Sequence, residues 1–515
     1  MNFTPVAKRL MAKRIKKLET AAQPPVETQV RQLRWLLFHG ANSKFGKEAD
    51  FESVLHLGDP RLAFSRLIPA RDYETLRPYA MRMLRGEKDV LWPGYCESFA
   101  ISSGTSGGRS KIIPITDHAL RLNHYDGASD VVAFYLAANP ASRLFAGKGL
   151  ILGGSFEKPL PCSSITARAG DLSATLIDRI PGAASLFRTP SKETALMSDW
   201  SEKLDRIARE AAAERVTNLS GVPSWMLKVL ERSLDISGKD SLAELWPDLE
   251  TFFYGGISFL PYRGEYSRIC GDKKLIFFPT YNASEGFFAS ASHLQRPGSA
   301  DREEMTLLLD ATIYYEFYPV GHTEPDGPLE SDPVMIEDLK VGDTYELVIT
   351  APNGLYRYRL GDCVTVTDTA PLTIHIAGRT KSEINAFGEE VMEHHANGAI
   401  EEACRLTGAS VENYTVAPIF AADGRKGRHQ WLIEWSTPPD SMEKFARVLD
   451  ESLRRLCCDY DAKRQGDIFL DAPEITVAEQ GAFDRWLQSV GNRRLGGQRK
   501  VPRLSSTRKI IDEII

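Results

Sequence analysis

Short apolar runs alternate with helix-like stretches through the first three-quarters of the chain, and this alternation restricts the fold more than any other feature. The apolar runs that predict buried strands are "KGLILGG" (148–154), "TFFYGG" (251–256), "KLIFF" (274–278) and "YELVIT" (345–350). Two stretches between them, "DWSEKLDRIAREAAAE" and "GVPSWMLKVLERSL", place apolar residues at helical spacing. Strands interleaved with helices predict an α/β fold.

After about residue 378 the pattern changes to a smaller arrangement of strands and helices. "YTVAPIF" and "HQWLIEWS" predict strands, and "SMEKFARVLDESLRRLC" predicts an amphipathic helix. The apolar residues that share one face of that helix are Met442, Phe445, Leu449, Leu453 and Leu456. Because 515 residues favour two or three domains, we expect a large N-terminal domain over residues 1–377 and a small α+β domain over 378–515.

Composition and charge exclude several classes of partner. Hydrophobic residues make up 43% of the chain and charged residues 26%, which is typical of a soluble globular protein. The net charge of -6 lacks the basic surplus that a nucleic-acid partner requires. The 7 cysteines form no CxxC pair, which favours reduced thiols and a cytoplasmic location.

Neither a membrane span nor a signal peptide is expected. The most apolar window begins at Leu275 and is interrupted by Pro279, Asn282 and Glu285, so it would cross a bilayer at high cost. The basic stretch "MNFTPVAKRLMAKRIKKLET" has no continuous apolar core. It predicts a helix with one buried stripe and a solvated basic face, with a membrane-surface helix as the alternative.

The stretch "SSGTSGGRSK" (102–111) combines glycines, hydroxyl groups and one lysine. Glycines let a backbone curl so that several N–H groups point inward, and a phosphate chain is the usual occupant of such a nest. The side chains that would add hydrogen-bond donors or charge are Ser102, Ser103, Thr105, Ser106 and Lys111. A Ser/Gly linker is the alternative, but the strand-like "KIIPIT" follows at once. The stretch lacks the Gly-Lys-Ser/Thr ending of the GxxxxGK[ST] phosphate loop.

A second candidate stretch, "PTYNASEGF" (279–287), follows a predicted strand, where α/β sheets place ligands. Tyr281 offers a flat face for a purine, Ser284 offers a hydroxyl, and Glu285 offers a carboxylate able to hold Mg²⁺ between phosphates. Taken alone, an ordinary turn is the alternative.

The third candidate stretch is "GLYRYRLGDCVTV" (354–366). Gly361-Asp362 is expected to form a turn that exposes the Asp362 carboxylate, which could accept hydrogen bonds from a ribose diol. An Asp-capped hairpin corner is the alternative. The fourth is Lys500 in "GGQRKVPR", for which a plain basic loop is the alternative.

In this order, the four stretches resemble the adenylate-forming enzyme superfamily. Within it, the chain is similar to the plant-type acyl-acid amido synthetases that conjugate auxin, jasmonate or benzoates to amino acids. "SSGTSGGRSK", "YNASE" and "YRLGD" resemble the three ordered motifs of that family, and "GGQRKVPR" resembles its C-terminal Gln-x-Lys-x-Pro-Arg stretch. The likeness spans nearly the whole chain, although "GRTKSEINAFGEEV" differs from the plant enzymes and looks bacterial in style.

The resemblance implies a large adenylate-forming domain, a small mobile C-terminal domain, and two half-reactions that use ATP and Mg²⁺. A small carboxylic acid, with aromatic and auxin-like acids as candidates, is adenylated, and an amino acid amine then takes the acyl group. The implied ligands are Glu285 for Mg²⁺ and, for the nucleotide, the backbone of Gly255 and Gly256 with Tyr281, Ser284 and Asp362. Lys500, delivered by the small domain, would neutralise charge in the first half-reaction. Trp225 and Phe253 lie beside predicted ligand loops and are weaker candidates for an apolar acyl slot.

Two other functions remain open at this point. The same first half-reaction would serve a thioester ligase that uses coenzyme A or a carrier protein, and a non-catalytic nucleotide-binding homologue is less favoured. The expected partners are small molecules, with no nucleic acid and no membrane, and a monomer is favoured.

Overall fold

The computed structural model describes residues 2–19, 25–102, 111–157, 160, 163–257, 259, 262–294, 303–320, 329, 331–379, 383–421, 426–467, 469–489 and 501–515. The chain divides into two compact units. The first takes in Met1–Ser102 and Lys111–Thr380, and the second takes in Lys381–Ile515.

The first unit contains helices of widely differing length. In the described residues the helices are α1 (Thr4–Glu19), α2 (Pro25–Gly40), α3 (Lys44–Glu48), α4 (Phe51–Leu55), α5 (Pro60–Leu67), α6 (Tyr73–Leu84), α7 (Asp117–Ala119), α8 (Asp126–Ala138), α9 (Leu172–Asp178), α10 (Gly182–Ser185), α11 (Lys192–Ala195), α12 (Trp200–Ala212), α13 (Pro223–Ser237), α14 (Leu242–Leu245) and α15 (Arg263–Cys270). A π-helix over Leu120–Tyr125 joins α7 to α8. Side chains of Asp59, Asp72 and Asp199 accept hydrogen bonds from N–H groups at the starts of α5, α6 and α12. Each such cap is worth about 1 kcal/mol, which explains where these helices begin.

The strands of the first unit form two sheets within the described residues. The strands are β1 (Ser98–Ser102), β2 (Lys111–Ile115), β3 (Lys148–Ile151), β4 (Arg168–Gly170), β5 (Arg188–Thr189), β6 (Val216–Gly221), β7 (Thr251–Tyr254), β8 (Ile276–Ala283), β9 (Gly286–Ser290), β10 (Met305–Leu307), β11 (Tyr314–Pro319), β12 (Thr344–Ala351), β13 (Leu355–Thr369) and β14 (Leu372–Arg379). β2-β1-β4 is a small sheet, and the other strands form one sheet in the order β11-β12-β13-β14-β10-β9-β8-β7-β6-β3-β5.

Strand pairing in the large sheet changes from parallel to antiparallel at β8. β5, β3, β6, β7 and β8 pair in parallel, and the strands from β8 through β9 to β11 pair antiparallel. Parallel strands joined through helices on one side and antiparallel hairpins on the other confirm the predicted α/β class with mixed sheets. β8 is therefore the strand shared by the two halves of the sheet.

Apolar packing anchors the strands of the antiparallel half. Leu33, Leu36 and Leu37 of α2 are fully buried against a cluster that includes Tyr356 and Tyr358 of β13. Each such side chain stabilises the fold by about 1.5–3 kcal/mol relative to an exposed position. Leu360 and Val364 of β13 belong to the same cluster, so the core flanks Asp362 on both sides along the strand.

Most predicted elements of the first unit are confirmed. β3, β7, β8 and β12 lie on the four apolar runs, and α12 and α13 lie on the two helix-like stretches. α1 is helical as expected, with Met11 and Ile15 packed on an apolar cluster while Val6 and Leu10 are exposed.

The expected turn at Gly361-Asp362 is wrong. Both residues lie inside β13, which runs for 15 residues and pairs with β12 on one side and β14 on the other. The register with β12 is interrupted between Arg359 and Cys363, where Gly361 has a φ of 81°. Asp362 stays paired with Arg379 of β14 and is buried instead of exposed. Likewise, β8 continues past residue 278, so Tyr281 lies in a strand and not in the loop after it.

The second unit has an α+β arrangement. Its described elements are β15 (Glu383–Ile384), β16 (Val391–Met392), α16 (Glu393–Thr407), β17 (Ser410–Ile419), β18 (Arg428–Thr437), α17 (Met442–Leu456), α18 (Cys458–Arg464), β19 (Glu474–Val477), α19 (Ala482–Ser489) and α20 (Lys509–Ile514). β17-β18-β19 form one sheet and β15-β16 a separate pair. On α17, Phe445, Leu449 and Leu453 are fully buried, whereas Met442 and Leu456 at the ends of the predicted apolar face are exposed. Among the described helices of the whole chain, none is long and apolar enough to cross a membrane.

Candidate active site

Glu285 occupies the tight turn between β8 and β9 and is buried. Its backbone carbonyl accepts a hydrogen bond from Asn353 Nδ2 at 3.0 Å, which ties this turn to the turn between β12 and β13. Its Oε1 accepts a 3.4 Å hydrogen bond from the Tyr358 hydroxyl on β13. Burial and the nearby Glu285 charge raise the pKa of Tyr358, so the phenol stays protonated and acts as a donor.

Lys111, the first residue of β2, faces the same carboxylate. Its Nζ lies 3.7 Å from Glu285 Oε1 and 5.6 Å from the centre of the Tyr358 ring. The first distance is too long for a good hydrogen bond, so Lys111 and Glu285 form an ion pair without a direct hydrogen bond. Lys111 pairs with Ser102 across the β1–β2 hairpin, which brings together the two ends of the predicted phosphate stretch.

Asp362 is held on both carboxylate oxygens. Oδ2 accepts a hydrogen bond from the Tyr281 hydroxyl, and Oδ1 lies 2.8 Å from Arg379 Nε. Arg379 is the cross-strand partner of Asp362 on β14, so the sheet register itself places the guanidinium. Burial and the Asp362 charge raise the pKa of Tyr281, so the phenol stays protonated and donates a hydrogen bond to the carboxylate.

Gly255 and Gly256 follow β7, and Gly255 lies against β8. A Cβ at Gly255 would stand 2.6 Å from the carbonyl oxygen of Thr280, so no side chain fits there without displacement. Gly256 has a φ of 85°, in the region that favours glycine. The backbone of this pair therefore runs close to the strand that carries Tyr281.

The two aromatic residues predicted for an acyl slot lie in different surroundings. Trp225, at the start of α13, is half-buried and packs edge-on against Trp200 with ring centres 4.4 Å apart. Phe253 on β7 is buried between Tyr135 and Phe278 in an apolar cluster. Their part in acyl binding stays a prediction.

The structure places the other predicted site residues as follows. Ser284 is half-buried in the same turn as Glu285, and Ser102 ends β1. Ser103, Thr105, Ser106 and Lys500 lie outside the described residues. Four of the described candidates form two contacting pairs within the first unit, Lys111 with Glu285 and Asp362 with Tyr281.

Sequence reasoning missed three residues at these groups: Tyr358, Asn353 and Arg379. Tyr358 stands inside a quoted motif but received no role. Arg379 lies opposite Asp362 because the consecutive strands β13 and β14 pair in a particular register. Asn353, in the turn between β12 and β13, reaches the Glu285 carbonyl across 68 positions of sequence. An arginine that ends a strand-like stretch near the change of pattern at residue 378 was the one available signal for Arg379.

A metal ion at this site would depend on Glu285. No cluster of three or more His, Cys, Asp or Glu residues suited to a metal occurs in the described parts of the chain. A single buried carboxylate nevertheless fits Mg²⁺, which is usually bound by one or two carboxylates together with phosphates and water. It does not fit a metal that needs a complete cage of protein ligands.

Comparison with known proteins gives consistent matches along the chain. The GH3 family N-terminal domain matches residues 14–275, the GH3 family central domain matches 306–379, and the GH3 family C-terminal domain matches 394–509. Indole-3-acetic acid-amido synthetase GH3.4 of Arabidopsis thaliana is 24% identical, with 99% of this chain and 94% of that protein covered. The 4-substituted benzoates-glutamate ligase GH3.12 of the same plant is 24% identical, with 87% and 88% covered.

Two solved structures share the fold. The GH3.15 acyl acid amido synthetase superposes with a TM-score of 0.60 at 19% identity, covering 97% of this chain and 95% of the other. A 2-hydroxyisobutyryl-CoA ligase, bound to 2-HIB-AMP and CoA, superposes with a TM-score of 0.56 at 12% identity, covering 95% and 91%. The predicted adenylate-forming fold, with a large N-terminal and a smaller C-terminal part, is confirmed. Because one of these proteins makes an amide and the other a thioester, the fold alone does not indicate whether the acyl acceptor is an amine or a thiol.

Proposed function

Because the chain belongs to the GH3 family, we propose that it is an ATP-dependent acyl-acid amido synthetase. It adenylates a small carboxylic acid and transfers the acyl group to an amino acid, releasing AMP and pyrophosphate. The observation that carries the proposal is the buried Asp362 carboxylate, held by Tyr281 and Arg379 in the unit that also contains the Lys111–Glu285 pair. The similarity of nearly the full chain to amido synthetases supports it.

In the first half-reaction, the carboxylate of the acid attacks the α-phosphorus of ATP and pyrophosphate leaves. A free carboxylate is a poor acyl donor because its leaving group would be oxide, and adenylation replaces that group with AMP. The protein supplies position and charge, which account for much of the catalysis in phosphoryl chemistry. Bound Mg²⁺ would neutralise phosphate charge, and Glu285, fixed by Tyr358 and Asn353, is the residue that would hold it.

The remaining residues hold the nucleotide in this proposal. Lys111, with the hydroxyl groups of residues 102–106, binds the departing phosphates. Asp362 accepts hydrogen bonds from the ribose diol through the lone pairs that Tyr281 and Arg379 do not use. The Gly255-Gly256 backbone and the Tyr281 ring bound the adenine, with Ser284 beside them.

In the second half-reaction, the amine of an amino acid attacks the activated carbonyl, an amide bond forms, and AMP leaves. We assign Lys500 to the first half-reaction only, where it neutralises charge on the α-phosphate and the attacking carboxylate. The proposal includes a cytoplasmic location and a monomeric enzyme.

ATP–pyrophosphate exchange with a broad panel of carboxylic acids tests the first half-reaction. We expect exchange with at least one small acid, and none would contradict the proposal in favour of the non-catalytic alternative. Mass spectrometry of reactions supplied with that acid, ATP and either pooled amino acids or coenzyme A then identifies the acceptor. An amide product supports the proposal, whereas a thioester alone would favour the ligase alternative, whose fold is also shared.

Substitution of Lys500 separates the two half-reactions. We expect Lys500→Ala to lower the rate of adenylation by about 10²-fold while leaving amide formation from a supplied acyl-adenylate nearly unchanged. Lys509→Ala is the matched control, because Lys509 is an exposed lysine of α20. Equal losses in both half-reactions would contradict the assignment of Lys500.

A further inference from the structure

Glu303 forms hydrogen bonds with Tyr254 and Phe259, which flank the glycine segment, the Gly255-Gly256 pair that follows β7. It lies two residues before β10, and its Oε1 accepts hydrogen bonds from the Tyr254 hydroxyl at 3.1 Å and from the Phe259 backbone N–H at 2.9 Å. Tyr254 is the last residue of β7, immediately before Gly255 and Gly256. One carboxylate oxygen therefore joins two positions that flank the glycine pair.

A second contact fixes the same segment from β8. The Thr280 hydroxyl donates a 3.0 Å hydrogen bond to the Tyr254 carbonyl, and the Gly255 backbone packs directly against Thr280. β8 thus restrains the start of the segment from one side, and Glu303 restrains Tyr254 and Phe259 from another. With these restraints the glycine backbone has a defined position relative to Tyr281.

Burial of Glu303 disfavours the ionised form of its side chain. Burial raises the pKa of Glu303, and the donors Phe259 N–H and Tyr254 hydroxyl and the charge of Arg263 only partly oppose that effect. A carboxyl group whose pKa is raised by folding contributes less stability in its ionised form than in its neutral form. The two hydrogen bonds of Glu303 instead fix the positions of Tyr254 and Phe259 relative to each other.

We propose that Glu303 is a positioning residue for ATP: by holding Tyr254 and Phe259, it keeps the Gly255-Gly256 backbone in the position that bounds the adenine. The inference rests on the proposed function, which assigns this glycine pair to the nucleotide. Glu303 acts through the segment and has no contact with the reacting atoms. Its loss changes the affinity for ATP and leaves the affinity for the acid unchanged.

Pyrophosphate exchange by the full-length chain tests this role with Glu303→Ala, Glu303→Gln and Tyr254→Phe. The alanine variant loses both contacts, so we expect its KM for ATP to rise about tenfold, the size of one or two net hydrogen bonds. Tyr254→Phe loses one contact, so its KM for ATP should rise about threefold. Glu303→Gln keeps an acceptor oxygen, so its KM for ATP should stay within about twofold of that of the unsubstituted protein. Its thermal unfolding midpoint at pH 7 should be at least as high as that of the unsubstituted protein.

The matched control is Glu304→Ala, which removes the neighbouring carboxylate and should leave both KM values unchanged. An unaltered KM for ATP in Glu303→Ala would overturn the inference, as would a parallel rise in the KM for the acid. A glutamine variant as impaired as the alanine variant would also overturn it, because charge and not an acceptor would then be required. Lack of exchange in the unsubstituted protein would contradict the proposed function itself, a result distinct from all of these.

Discussion

Substitution of Asp362 offers a graded test of the ribose assignment. Its Oδ2 is engaged by Tyr281 and its Oδ1 by Arg379, and each carboxylate oxygen has a second lone pair for a ribose hydroxyl. A hydrogen bond to a charged group contributes about 1.5–3 kcal/mol. Asp362→Ala removes two such bonds and should weaken ATP binding by at least about 3 kcal/mol, roughly 150-fold.

Two milder variants give intermediate values. Asp362→Asn keeps one acceptor oxygen, so it should lose about 1.5 kcal/mol, or roughly tenfold in affinity. Tyr281→Phe keeps the carboxylate but loses the donor that orients Oδ2, and about 1 kcal/mol, or roughly fivefold, is expected. The order of effects should therefore be alanine, then asparagine, then the tyrosine variant.

Pyrophosphate exchange at saturating acid measures the KM for ATP, and calorimetric titration with ATP measures the dissociation constant directly. The KM for the acid should stay within about twofold in all three variants, because the contact proposed is with the sugar. Asp368→Ala is the control, since Asp368 lies exposed on the same strand. Equal ATP affinity in Asp362→Ala and the unsubstituted protein, or an equal rise in both KM values, would refute the assignment.

Three further predictions concern the site and the fold. Glu285→Gln should raise the Mg²⁺ concentration needed for half-maximal exchange about tenfold, and an unchanged Mg²⁺ titration would contradict the metal assignment. His124 is fully enclosed, neither ring nitrogen has a partner among the described residues, and burial lowers its pKa from 6.5 to about 4. Because that pKa lies below the unfolded value, the stability contributed by neutral His124 is complete above about pH 6.5 and is lost as the pH falls toward 4. By pH 5 the loss is about 2 kcal/mol, so urea unfolding at pH 7 and pH 5 should show a smaller drop in His124→Leu. Gly255→Ala should lower the free energy of unfolding by about 1–3 kcal/mol because its Cβ would meet the Thr280 carbonyl, while Gly264→Ala, in open space on α15, should not destabilise the protein.

Much of the secondary structure follows from neighbouring residues alone. The runs that became β3, β7 and β12 are apolar and end at turn-forming residues, and α17 shows helical periodicity. The order of motifs along the chain also sufficed to indicate the family, since it depends only on which residues occur and how far apart they lie. These properties are local or linear, so no knowledge of packing is needed to detect them.

Tertiary structure decided how the candidate groups are held. Tyr281 and Asp362 are 81 positions apart, and they meet only because β8 and β13 belong to one sheet in a particular order. The same pairing turned an expected exposed corner into a buried strand position for Asp362 and placed Arg379 opposite it. Strand register and order depend on the free energy of the whole apolar core, to which residues far apart in sequence contribute together. The sequence alone therefore determined which chemical groups are present, and the packed sheet determined which of them share a hydrogen bond.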